Sequence, residues 1–128
     1  MQRLVIQTPQ APKAIGPYSQ GILAEGRLVF VSGQVGFEPQ TGQLAEGIEA
    51  QTEQALRNIT AILEAGGTDL AHVVKVTVLL KSISDFATVN TIYARHFSEN
   101  QPARATFGGL ELPAGALVEI ECVALLPD

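Results

Sequence analysis

Between residues 46 and 65 the apolar side chains recur every three or four positions, while the runs on either side of that stretch alternate. Ile48, Thr52, Ala55, Ile59 and Ile62 follow four-three-four-three spacing, with Leu56 and Leu63 widening the stripe. This spacing predicts one long amphipathic helix, and Gly66-Gly67 supplies its left-handed stop. A helix with one apolar stripe, set among extended segments, has to bury that stripe against a sheet.

The extended segments are short. Residues 4–6 form a short strand, and "TPQAPKAIGP" is a Pro-rich connector. "YSQGILAEGRLVFVSGQ" reads as a hairpin around a Glu25-Gly26 turn, followed by the loop "GFEPQTGQL". "HVVKVTVLLK" is a β-branched strand in which Lys75, Thr77 and Lys81 alternate against Val74, Val76, Val78 and Leu80. Ser84 is the expected N-cap of a second helix, with Asp85 favouring its first turn and Phe86, Val89, Ile92, Tyr93 and Phe97 on its apolar face. Strands near 103–107 and 117–125 complete the order β-hairpin, α, β, α, β, β. The expected fold is α+β: one domain over residues 1–128, with two helices packed on one face of a mixed sheet.

The last strand, "LVEIECVAL" (117–125), carries more information than the others. Val118, Ile120, Cys122 and Ala124 point one way; Leu117, Glu119, Glu121, Val123 and Leu125 point the other. Helices cover one face, yet the other is still mostly apolar. A second copy of the chain is its economical cover, which puts the two glutamates near a subunit boundary.

Composition narrows the function classes. At 128 residues, 46% of them hydrophobic and 16% charged, the chain buries a core without staples. Its single cysteine, Cys122, excludes an internal disulfide framework and a Cys-rich metal site, and is compatible with a reducing compartment. No apolar run approaches the roughly 20 residues that span a bilayer, and "MQRLVIQTPQAPKAIGPYSQ" lacks a signal-peptide core. A cytoplasmic location away from membranes is expected. The net charge of −5, with eight Lys and Arg scattered singly, argues against nucleic acid as a partner. His72 and His96 lie far apart without ligand spacing, so both read as surface or structural residues and no metal is expected. "GFEPQTG" lacks the ending of a phosphate-binding loop. Cys122 reads as an inert core thiol.

Three charges sit inside extended apolar segments, where charges need a partner or a ligand. Arg104 lies in "PARATF", and Glu119 and Glu121 share a face of the last strand, about 7 Å apart. Arg104 either pairs structurally with Glu111, Glu119 or Glu121, or clamps a carboxylate ligand with its planar fork, with Gly108-Gly109 leaving backbone room. Paired acids can also flank a sugar bond, but the chain has no Trp for sugar stacking. Tyr18 follows the rigid "IGP", Ser32 ends a strand, and Asn90 lies mid-helix, where it faces water or serves as a hydrogen-bond partner.

"AIGPYSQ" (14–20), "VFVSGQVGFEPQTG" (29–42), "QALRNITAILEAGG" (54–67), "VVKVTVLLKSISDFATVN" (73–90), "PARATF" (102–107) and "LPAGALVEIE" (112–121) together resemble the Rid family, the reactive intermediate deaminases, also called the YjgF family. The match runs through nearly the whole chain in order. The resemblance implies a chorismate-mutase-like fold assembled as a homotrimer with clefts between subunits. It also implies cofactor-free hydrolysis of 2-imino acids, such as 2-iminobutanoate and 2-iminopropanoate, to 2-keto acids and ammonia. Such imines and their enamine tautomers are released by pyridoxal-phosphate enzymes, which supplies a functional link. By position, the family's carboxylate-binding arginine falls on Arg104 and its water-handling glutamate on Glu119. The pocket tyrosine, serine and asparagine fall on Tyr18, Ser32 and Asn90.

One position departs from the family pattern. Many members carry a pocket cysteine where this chain has Thr106. Imine hydrolysis needs no protein nucleophile, since the C=N carbon is already electrophilic, so the change reads as tuning. Two other readings compete with deamination: a non-catalytic module that binds 2-keto acids or other small carboxylates, and the ribonuclease or translation-inhibitor activity attributed to some relatives.

Overall fold

Helix α1 (Gly47–Ala65) is the element on which the rest is built. The computed structural model describes residues 3–127; Met1, Gln2 and Asp128, the ends of the expected domain, lie outside the described residues. Thr52, Ala55, Leu56, Ile59 and Leu63 are buried along α1, as their spacing predicts. Ile62 is not: it is 38% exposed, on the shoulder of the stripe that the sheet does not reach. Gln51 is buried instead, because its Oε1 accepts the Leu117 backbone N–H at 2.8 Å. The helix ends as expected. Gly67 adopts φ +90°, its N–H donates to the Glu64 carbonyl, and the Thr68 N–H donates to the Leu63 carbonyl.

Six strands accompany it: β1 (Arg3–Ile6), β2 (Gly21–Ala24), β3 (Leu28–Val35), β4 (Val73–Leu80), β5 (Ala103–Phe107) and β6 (Val118–Leu125). Four of them form a mixed sheet in the order β3-β6-β4-β5, parallel only between β4 and β5. The expected hairpin around Glu25-Gly26 does not pair. Strand β2 bonds to β1 as a separate two-stranded ribbon, and β3 bonds to β6. The four residues of β2 satisfy only half of the eight-residue β3, whereas β6 matches it in length. Strand β3 stands at the edge of the sheet, and its second edge pairs with no described strand.

Val118, Ile120, Cys122 and Ala124 of β6 are 4% exposed or less and form the floor of the core. On β4 the buried position at the start is Val73 rather than the expected Val74, because the ladder to β6 slips between Val73 and Lys75. A second helix, α2 (Phe86–His96), packs beside α1 over the same face and buries Val89, Ile92 and Tyr93. Its approach differs in detail from expectation. A 3-10 turn at Ile83–Asp85 precedes it, and Ser82, not Ser84, caps that turn by accepting the Ser84 N–H. The hydroxyl two residues earlier is the one that reaches an orphan donor.

The opposite face of the sheet has no helices on it. Phe30, in register with Val123, is 68% exposed, and Phe107, in register with Leu79, is 53% exposed. Among the described residues no helix is long and apolar enough to cross a membrane.

Candidate active site

Strand β5 pairs Arg104 with Val76, and Val76 also pairs with Cys122. Residues paired across a sheet share a face, so Arg104 projects to the helix side, where α2 lies. Spacing along α2 then does the rest. Phe86, Asn90 and Tyr93 stand at i, i+4 and i+7, one stripe of a helix, and all three meet the guanidinium. Arg104 Nη1 donates to Asn90 Oδ1 at 2.6 Å, and the guanidinium carbon lies 4.9 Å from the Tyr93 ring centre and 5.6 Å from that of Phe86.

A third ring comes from the segment before β2. The Tyr18 N–H donates to the Gly16 carbonyl at 2.8 Å in a tight turn, and the Ser19 N–H donates to the Pro102 carbonyl at 3.1 Å. These bonds lay the turn against the start of β5 and bring the Tyr18 ring centre to 5.4 Å from the guanidinium carbon. Gly16 keeps this approach uncrowded, and a side chain there would push the Tyr18 ring by a few tenths of an ångström. A Cβ there would stand 3.3 Å from the Tyr18 ring and 3.7 Å from Arg104 Nη2. Tyr18 and Arg104 therefore meet within one chain.

The expected alternatives for Arg104 are now distinguishable. Among the described residues the ion pairs are Arg57–Glu53, His72–Asp69 and His96–Glu53, and Arg104 takes part in none. Its partner is an amide and a set of rings, not Glu111, Glu119 or Glu121. Burial pushes the guanidinium pKa down, and Tyr93 and Tyr18 pull it part of the way back. It still carries its charge, as arginine does in proteins. Thr106, two residues along the same face, has a buried hydroxyl without a hydrogen-bond partner among the described residues. Gly108 does not leave ligand room: a Cβ there would meet Ile83 at 2.8 Å, so its bareness seats Ile83.

Glu119 stands elsewhere. Its neighbours Val118 and Ile120 are fully buried, so its side chain leaves the sheet on the face opposite to Arg104. Beside it β3 carries a bulge: Val31 pairs with Cys122 and Gln34 with Ile120, leaving Ser32 and Gly33 opposite the exposed Glu121. The Glu119 carboxyl group lies over Gly33, where a Cβ would come within 2.9 Å of Cδ and closer still to Oε2. One chain thus gathers Tyr18, Asn90, Arg104 and Thr106 in one group, and sets Glu119 beside the Ser32 bulge on the other face.

His72 Nδ1 lies 2.7 Å from Asp69 Oδ1, and His96 Nε2 lies 2.8 Å from Glu53 Oε2, both away from Arg104. Cys122 is 4% exposed, and burial, with Glu121 contributing, pushes its thiol up to about 12. A groove of about 750 Å³ opens beside Tyr18 between the 5–14 segment and Gln101, but reaches neither Arg104 nor Glu119. Sequence reasoning placed Phe86 and Tyr93 only in the core and overlooked Gly16 and Gly33. The 86/90/93 stripe, facing an arginine strand, was the available signal.

Comparison with known proteins identifies the family. The profile of the family described as Endoribonuclease L-PSP matches residues 8–126. The chain belongs to this family, the Rid or YjgF family. Within it, the human protein named 2-iminobutanoate/2-iminopropanoate deaminase is 50% identical over 124 residues, covering 96% of this chain and 90% of its own. Reactive Intermediate Deaminase A, chloroplastic, of Arabidopsis thaliana is 48% identical, covering 98% of this chain and 67% of its own. Among solved structures, RidA from a Psychrobacter species superposes with TM-score 0.76 at 47% identity, covering 95% and 98% of the two chains. Escherichia coli TdcF with bound serine gives 0.73 at 36% identity with the same coverage.

Proposed function

We propose that this Rid-family chain hydrolyses reactive 2-imino acids, such as 2-iminobutanoate and 2-iminopropanoate, to 2-keto acids and ammonia. The observation that carries this is Arg104: a half-buried guanidinium held by Asn90 and aromatic rings, with no acid beside it among the described residues. A two-pronged cation left in that state suits a planar carboxylate. Relatives at about half identity, named for imine deamination, support the choice of reaction.

The active form is a homotrimer of the chorismate-mutase-like kind, with Arg104 of one subunit facing Glu119 of the next. Two observations support it. Arg104 and Glu119 leave the sheet on opposite faces, so one chain cannot close the site around a small substrate. The open face also leaves Phe30 and Phe107 mostly exposed, and covering what remains of each contributes a little over half of the about 1.5–3 kcal/mol that burying a whole large apolar side chain supplies.

In the reaction, Arg104 fixes the substrate carboxylate and orients the C=N bond, with Tyr18, Asn90 and Thr106 around it and Ser32 beside the base. Glu119 takes a proton from water as the water oxygen bonds to the imine carbon and the C=N π pair moves to nitrogen. Glu119 then returns that proton to nitrogen, giving a carbinolamine; it next takes the hydroxyl proton and passes it to nitrogen, so that C=O forms as the C–N bond breaks and ammonia leaves. The scheme requires neither cofactor nor metal, and no nucleophile at Thr106. The chain would work in the cytoplasm beside pyridoxal-phosphate enzymes that release such imines.

The test generates imine with threonine dehydratase and follows 2-ketobutanoate. Faster release in the presence of the chain supports deamination; an unchanged rate rejects it. Keto-acid binding without turnover would support the carboxylate-binding module, a reading that the serine bound to TdcF favours. The ribonuclease reading draws only on the family's descriptive name; the histidines are engaged with Asp69 and Glu53 at separate places, and the net charge is −5.

A further inference from the structure

We infer that Tyr93 and Phe86 are positioning residues for carboxylate capture: their rings compensate the Arg104 charge through its faces and leave its outward N–H groups free for the ligand. The inference rests on the reading of Arg104 as the carboxylate clamp.

A half-buried guanidinium has to be compensated in some way. A carboxylate from the chain itself would do this most strongly, but it would occupy the fork and cancel the charge that the ligand needs. Aromatic faces work differently. The negative potential of a ring attracts a cation within about 6 Å of its centre and consumes none of its donors. Tyr93, Tyr18 and Phe86 all satisfy that distance, at 4.9, 5.4 and 5.6 Å. Of the five guanidinium N–H groups, the one hydrogen bond to a described residue is the donation from Nη1 to Asn90.

Tyr93 plays the clearest part. It is fully buried, so it does not touch the substrate, and its hydroxyl has no hydrogen-bond partner among the described residues. What it offers Arg104 is therefore the ring. That ring is fixed from beneath by Phe97, stacked at 4.5 Å between ring centres. Phe86 is set one stripe position from Asn90 on the same helix, so α2 delivers two rings and one acceptor to the guanidinium together.

Packing and electrostatics can be separated by keeping the ring's shape while changing its charge distribution. Tyr93→Phe keeps the ring. Trifluorinated and then pentafluorinated phenylalanine incorporated at position 93 keeps the outline while withdrawing electron density from the face. Titration calorimetry on the full chain measures 2-ketobutanoate, which carries the carboxylate, against 2-ketobutanamide, which does not. Tyr93→Phe is expected to bind the keto acid within about threefold of the unsubstituted chain. The pentafluorinated ring is expected to weaken it about tenfold or more, with the trifluorinated ring between them. Amide affinity stays put, and the imine reaction loses more in KM than in kcat. Keto-acid affinity that is indifferent to fluorination overturns the inference, as does an equal loss for acid and amide. If the fluorinated chains fail to fold, the same fluorination series at the half-buried Phe86 decides on the same criteria. Arg104→Ala separates the two levels: if it still binds the keto acid, the clamp reading itself is wrong, whatever the rings do.

Discussion

Replacing Gly33 with alanine should silence the chemistry while leaving the fold and the carboxylate clamp intact. Gly33 lies in the β3 bulge beside Ser32, and its φ is not in the left-handed region, so alanine fits the backbone. On the backbone alone the substitution is expected to stabilise the chain by about 0.4–1 kcal/mol, through loss of unfolded-state freedom. The added methyl, however, falls where the Glu119 carboxyl group now rests, 2.9 Å from Cδ. An ordinary contact at that point is about 3.4 Å or more, so Cδ moves by about 0.5 Å and Oε2, which the methyl overlaps, by about 1 Å or more. The obstructing atoms are the far end of a flexible side chain, so the carboxyl group yields rather than the strand. A base displaced by about 1 Å loses on the order of a hundredfold in rate. The expected outcome is kcat for imine hydrolysis down about a hundredfold, an unchanged or raised melting temperature, and unchanged 2-ketobutanoate affinity by calorimetry. Full turnover in a Gly33→Ala chain, with the melt confirming its fold, would refute the placement of the base.

Other expectations follow from the same geometry. Glu119→Gln should keep keto-acid binding and lose at least about a hundredfold in turnover, whereas Glu121→Gln, exposed across the bulge, should stay within a few-fold; the reverse result would exchange their roles. Arg104→Lys keeps charge but not the planar fork, so most activity should be lost; full activity would return Arg104 to a structural role. N-ethylmaleimide should leave the native chain active and unlabelled, with reaction at Cys122 only after denaturation, because that thiol is 4% exposed and raised to about 12. Light scattering at micromolar concentration should give three times the 13.6 kDa chain mass; a monomer would remove the shared site.

Much of the fold was legible because the alternations that produce it are local. The α1 stripe, the Gly66-Gly67 stop and the inward row of β6 can all be read from neighbouring residues. The site was legible in its residue types but not in its contacts. Arg104 stood out as a charge in an apolar strand, yet its partner is Asn90 from 14 positions upstream rather than a strand glutamate. Tyr93 and Phe86 were hidden because an aromatic residue on a helix stripe has the same pattern whether it packs on leucine or under a cation.

What the sequence by itself determined is which segments are helix or strand and, apart from the slip at Val73 and the fully buried Leu125, which side of each strand is apolar. Periodicity depends on the chain's own geometry, so no knowledge of distant partners is needed. Tertiary structure decided everything that depends on who pairs with whom. Strand β3 pairs with β6, almost a hundred residues away, and leaves its other edge free of its neighbour β2, which joins β1 instead. Gln51 is buried in place of Ile62 because a backbone donor at Leu117 waits for it. Above all, alternation along two separate strands shows that Arg104 and Glu119 each point out of a sheet. Only the register through β4 reveals that they leave it on opposite sides.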